Sequence, residues 1–204
     1  MPAADTFWNQ KHARARFVIV WLAFAWMRLV VWLPLRWQLG LGRLGGRLAG
    51  RLIRSRWRIV TKNLAACFPN LTTTERDALA GQHFEALGMS MIEMAMGWYG
   101  SKSKIQRHVR IEGLENLRAA QDRGKGVILL SAHFTTFEFF FASLAPECRR
   151  LCGMYRTQRN PVMNKIMTEG RERNFDHLFS NNSVRDMVRE LSNNAVVWYA
   201  SDQS

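Results

Sequence analysis

Gly126-Val-Ile-Leu-Leu-Ser-Ala-His133-Phe-Thr-Thr-Phe-Glu138 is the stretch on which the reading of this chain turns. Val127 to Leu130 is a short apolar run preceded by Gly124 and Gly126, the pattern of a buried strand. His133 then falls in the turn beyond the strand's C-terminal end, where open α/β sheets place their chemistry. Glu138 follows five positions later. On one regular helix that spacing rotates two side chains about 140° apart. They meet only if the backbone turns between them, with His133 in the loop and Glu138 opening the next helix. A carboxylate on a histidine fixes its tautomer and raises its basicity, as a general base for a hydroxyl requires. The segment alone fits a satisfied loop histidine beside a helix N-terminal glutamate equally well.

Outward from this point the pattern alternates. The expected elements are strand Val109–Ile111, helix Leu114–Asp122, strand Val127–Leu130, helix Phe137–Leu144 and strand Leu151–Tyr155. Helix Pro161–Arg173, helix Val184–Leu191 capped by Ser183, and strand Ala195–Ala200 follow. This predicts an α/β core over residues 107–204, a mixed sheet covered by helices. Asn160 suits the cap of a helix that starts with Pro161. The apolar strand at Ala195–Ala200 lies four residues from the last residue of the sequence, so it is expected to leave an exposed edge and the fold to be incomplete at its C-terminus.

Residues 61–106 read as a helical, membrane-proximal segment. Thr72 and Glu75 form a capping box opening a helix from Thr73 to Tyr99, and Gly100 to Lys104 is a loop. Residues 1–60 read as a membrane anchor with basic interfacial helices. Phe17 to Leu35 is apolar apart from Arg28 and Pro34, close to the roughly 20 residues that a span needs. Arginines on both sides fit equally a helix lying in the leaflet surface. Gly42, Gly46 and Gly50 recur every four residues beside Arg43, Arg47 and Arg51. Such a helix has a small-residue stripe for close packing and a basic stripe suited to lipid phosphates; an ordinary surface helix with its glycines on the core fits as well.

The net charge of +13 suits an acidic partner, whether anionic lipid, nucleic acid or an acidic carrier protein. No groove-reading or base-stacking motif accompanies it, so no nucleic-acid partner is expected. Cys67, Cys148 and Cys152 lack the spacing of a zinc site and read as buried reduced thiols. His12, His83, His108 and His177 have no partner at useful spacing.

The HX4E motif after a GVILLS strand resembles the membrane-bound glycerolipid and lipid A acyltransferases, above all the late acyltransferases of lipid A biosynthesis. The likeness extends in order through NLAACFPNL (63–71), VRIEGLE (109–115), Tyr155-Arg156 with Asn160-Pro161, GRER (170–173) and VWYASDQ (197–203). It implies a bacterial inner-membrane enzyme whose catalytic part faces the cytoplasm. Such an enzyme transfers a fatty acyl group from acyl carrier protein to a hydroxyl on a hydroxyacyl chain of a phosphorylated lipid A precursor. His133 would be the base and Glu138 its orienting partner. Arg171, with Arg156 and Arg173 in support, would bind phosphate or stabilise the oxyanion, and Asn160 and Asp202 would complete the substrate site. No cofactor or metal is implied. Anionic lipids of the inner membrane are the expected surroundings. An acyl-CoA-dependent glycerolipid acyltransferase is the alternative enzyme, although its usual motif has aspartate in place of Glu138. A non-catalytic binder of anionic lipid is the alternative outside enzymes.

Overall fold

The computed structural model describes residues 11–158 and 160–202, with side chains from Val18 onward except Ile19. The described chain begins with α1 (Lys11–Val30), α2 (Leu35–Leu52), α3 (Arg54–Cys67) and the 27-residue α4 (Thr73–Tyr99). A short α5 (Lys102–Gln106) then occupies most of the expected loop. The core follows as α6 (Leu114–Asp122), β1 (Val127–Ser131), α7 (Phe137–Leu144), β2 (Leu151–Tyr155), α8 (Pro161–Arg171), β3 (His177–Ser180), α9 (Val184–Ser192) and β4 (Val196–Ala200).

The sheet order is β1-β4-β2-β3, and every pairing among the described residues is parallel, which corrects the expectation of a mixed sheet. Among the described residues β4 lies between β1 and β2, so it is central and not the exposed edge expected of Ala195–Ala200, and the edges are β1 and β3. Helices cover both faces, as parallel strands joined by crossovers require. On one side Phe141 of α7 and Leu117 of α6 pack on Leu151, Val196 and Trp198. On the other, Met187 and Leu191 of α9 pack on Cys152, Phe179 and Val197. Burying a side chain such as Phe141 contributes about 1.5–3 kcal/mol.

Two expected elements differ. Val109–Ile111 is irregular, because it pairs with no strand among the described residues and Gly113 turns the chain through a left-handed conformation (φ 77°). β3 has no counterpart in the expected series; four residues are too few for periodicity to register. Ser183 stands at the start of α9, but its backbone carbonyl rather than its hydroxyl receives the first-turn N–H groups.

At the N-terminal side, Phe17–Leu35 does not run as one helix. α1 ends at Val30, and Pro34 forces an extended backbone before α2. Gln38 and Lys104 donate to the carbonyls of Val31 and Leu33, tying off this turn with an amide and a cation. No helix among the described residues is long and apolar enough to cross a membrane. One face of α1 and Val31 just beyond it join the protein core, where Phe24, Met27 and Val31 meet Met96 and Trp98 of α4 and Ile166 of α8. Arg28, costly in a lipid-exposed span, lies over the Tyr99 ring at 5.3 Å. The opposite face of α1 remains open, with Trp21, Leu22, Trp26 and Leu29 exposed.

Candidate active site

His133 and Asp202 come together because β1 and β4 are parallel neighbours. Ser131 pairs with Ala200, and each functional residue lies two positions beyond its strand end. Asp202 Oδ1 meets His133 Nδ1 at 2.7 Å, while its Oδ2 accepts the His133 backbone N–H at 2.8 Å. These bonds, the backbone one first, hold the Asp202 carboxyl below the usual carboxylate range. With Nδ1–H donating to the carboxylate, Nε2 is left as the acceptor. The His133 side chain remains 35% exposed, open enough to meet a substrate. It borders a cavity of about 360 Å³ together with Tyr155, Arg156, Asn181, Trp198 and Tyr199.

Glu138 occupies a different network. It stands in the first turn of α7, almost fully buried. Trp98 Nε1–H donates to its Oε2 at 2.9 Å, Arg171 Nε–H donates to Oε1 at 2.7 Å, and Arg171 Nη2 makes the ion pair with the same oxygen at 2.7 Å. The contact from Glu138 to His133 suggested by their spacing is therefore not the one made here. Phe137 stands between the two networks, its ring 6.3 Å from that of His133 and 5.6 Å from the Arg171 guanidinium carbon. Close packing makes the Glu138 contacts possible. A Cβ at Gly97 would lie 2.6 Å from the Glu138 carbonyl, and one at Gly170 would collide with the Trp98 indole. Gly97 thus lets α4 approach α7, and Gly170 lets α8 approach α4, so that Trp98 and Arg171 both reach one carboxylate.

Arg156 is exposed just beyond β2 and lines the His133 cavity. The Asn160 side-chain oxygen is used as the cap of α8, accepting from the N–H groups of Val162 and Met163 at 3.0 and 3.2 Å. Arg173 is exposed near Tyr99 rather than at the cavity. Trp98 and Asn181, which join the site from α4 and from the β3–α9 turn, were absent from the sequence-based set. Nothing in the spacing near either residue links it to His133. Among the thiols, Cys152 is buried, Cys148 is half-buried and Cys67 is exposed, so burial does not extend to all three. Burial pushes the Cys148 thiol up to about 12 and that of Cys152 up to about 11, which makes both poor nucleophiles at neutral pH.

The profile of the family described as bacterial lipid A biosynthesis acyltransferase matches residues 8–204. The chain is 32% identical over 189 residues to the lipid A biosynthesis lauroyltransferase of Escherichia coli (strain K12), covering 92% of this chain and 61% of that protein. It is 30% identical over 195 residues to the palmitoleoyltransferase of the same organism, covering 96% and 63%. With the myristoyltransferase it shares 26% over 189 residues, 92% and 58%. The chain thus spans about three fifths of the length of these relatives. The match to this family over residues 8–204, together with these relatives, shows that the chain belongs to the bacterial lipid A biosynthesis acyltransferases.

Proposed function

We propose that this chain carries the base-bearing part of an enzyme that moves a fatty acyl group from acyl carrier protein to a hydroxyl on a hydroxyacyl chain of a lipid A precursor. The observation that carries the reading is the His133–Asp202 pair at the mouth of a cavity that also holds Arg156. His133 Nε2 takes the proton of the acceptor hydroxyl as its oxygen attacks the thioester carbonyl. Asp202 fixes the ring and offsets the imidazolium charge, the part a carboxylate plays behind a catalytic histidine. As the tetrahedral intermediate collapses, the C–S bond breaks, and His133 returns the proton to the departing thiolate. The thioester is already activated, so no acyl group passes through a protein nucleophile.

Glu138 serves the same chemistry by holding Arg171. The Nε–H is fixed on Glu138, and the outer guanidinium N–H groups remain for a substrate phosphate or the oxyanion. Arg156 is the cation that lines the cavity, while Asn160 caps α8 and Arg173 lies by Tyr99, away from it. The exposed tryptophans and leucines of α1 and α2, with the arginines beside them, suit the cytoplasmic leaflet of an inner membrane, where anionic lipid meets both chemistries. The test is transfer from radiolabelled acyl carrier protein to the tetra-acylated precursor in membranes bearing the protein. Lipid A product, formed from the carrier-protein donor in preference to acyl-CoA, supports the reading. Product formed only on lysophospholipid from acyl-CoA would replace it.

A further inference from the structure

We infer that α1, α2 and α4 hold a single anionic phospholipid, one fatty chain lying in the groove between them and the phosphate resting on Arg51, Arg54 and Arg58. This rests on the membrane-surface reading above and adds to it a discrete site remote from His133.

Four stripes with a four-residue repeat organise α2. Gly42, Gly46 and Gly50 face α4, where a Cβ on Gly42 would stand 2.7 Å from the Gly88 carbonyl and one on Gly46 would strike that of Phe84. Arg43 and Arg47 lie to one side and pair with Glu85 of α4. Leu44, Leu48 and Leu52 point outward and are exposed. Leu41, Gly45 and Ala49 form the remaining stripe, one wall of a groove of about 460 Å³ completed by Trp26 and Met27 of α1 and Met91 of α4. A Cβ on Gly45 would meet nothing within 4 Å, so this wall borders open space rather than a neighbouring helix. The volume falls in the range of small-molecule sites. The lining offers no charged side chain and little hydrogen bonding, which suits a hydrocarbon chain and would leave the backbone of a peptide unsatisfied.

The charge is supplied next door. Arg51, Arg54 and Arg58 line a second cavity, of about 340 Å³, with Gly50 and Trp57. Unlike Arg43 and Arg47, these three arginines form no ion pair among the described residues. Ile53, at the end of the apolar groove, and Arg54, in the basic cavity, are consecutive, so their Cα atoms stand about 3.8 Å apart. Phe84 lines the groove and stacks on Trp57 at 5.6 Å, joining the two cavities through one pair of rings. A phosphodiester beside a fatty chain matches this order of features, and guanidinium groups bind its oxygens bidentately.

The test uses the full chain in mild detergent, incubated with phosphatidylglycerol or phosphatidylcholine, with bound lipid counted by native mass spectrometry. Flotation with vesicles of equal parts of the two lipids is run in parallel. The parent protein is expected to keep one phosphatidylglycerol and to bind phosphatidylcholine at least about tenfold more weakly. Gly45→Leu, whose Cβ meets nothing within 4 Å and whose side chain occupies the groove, and the pair Arg51→Ala/Arg54→Ala should each lose that adduct while still floating. The arginine pair decides the matter if Gly45→Leu fails to fold by circular dichroism. Equal retention of both lipids, or adducts unaffected by these changes in folded protein that floats, would overturn the inference and leave the membrane-surface reading standing. Failure of the parent to float would remove both.

Discussion

Glu138→Ala is the substitution whose consequences the structure fixes most tightly. The Glu138 side chain is 4% exposed and that of Arg171 is 14% exposed, so removing the carboxylate strands a guanidinium inside the protein. Losing one partner of a buried pair costs about 3–5 kcal/mol, because the remaining charge keeps little solvent and no counter-ion. The Trp98 N–H loses its acceptor at the same time. At about 2–4 °C per kcal/mol for a chain of this size, the melting temperature in detergent should fall by roughly 6–20 °C. Replacing both charges by apolar residues of similar shape, Glu138→Leu with Arg171→Met, removes the stranded cation. Only the Trp98 N–H then stays unpaired, at about 1–3 kcal/mol. The double variant should therefore melt above Glu138→Ala while transferring no acyl groups. Scanning fluorimetry with circular dichroism on the three proteins reads this directly. A Glu138→Ala melting point within about 2 °C of the parent, or a double variant no more stable than the single one, would refute the buried-pair argument.

The remaining predictions concern pH, helix packing and the thiols. The depressed Asp202 carboxyl stabilises its contact with His133 fully above the unfolded carboxylate value of about 3.9, and that stabilisation fades only as pH falls through the lower folded value. The Asp202 carboxyl carbon, followed by carbon-13 NMR, should therefore show no carboxyl protonation between about pH 5 and 8. A protonation midpoint of that carboxyl inside this range would contradict it. Gly40→Ala, with open space at its Cβ, should stabilise α2 by about 0.5–1 kcal/mol. Gly46→Ala, which drives a methyl into the α4 backbone, should destabilise by about 1–3 kcal/mol, and urea unfolding that ranks them the other way would overturn the packing account. Iodoacetamide at pH 7.5 should label exposed Cys67 well before Cys148 or Cys152 by peptide mass spectrometry, and acyl transfer should survive Cys148→Ala.

What the sequence made legible was local. The strand at Val127, the helix opened by the Thr72–Glu75 capping box, and the Asn160-Pro161 start of α8 each depend on a few adjacent side chains, and each stands where the pattern put it. The sheet order depends on how four strands assemble, and no short-range signal says that β4 inserts between β1 and β2. That insertion gives His133 its partner 69 residues away. The same holds for Glu138, whose nearest acid–base neighbour in sequence is His133 but whose contacts in space are Trp98 and Arg171. Apolarity alone marked Phe17–Leu35 as an anchor. It could not show that Pro34 would turn the chain or that half of α1 would be covered by α4 and α8.

The central claim is that His133, oriented by Asp202, is the base for acyl transfer, and single-turnover kinetics test it most directly. Membranes carrying the parent, His133→Ala, Asp202→Asn and Asp202→Glu are each mixed with acyl carrier protein bearing a labelled acyl group and with the tetra-acylated lipid A precursor. His133→Ala should give no transfer above background. Asp202→Asn should lower the chemical step by about 10²–10⁴-fold while leaving precursor binding near that of the parent, and Asp202→Glu should recover part of the loss. Transfer by His133→Ala at the parent rate, or an Asp202→Asn protein that differs only in precursor affinity, would contradict the account.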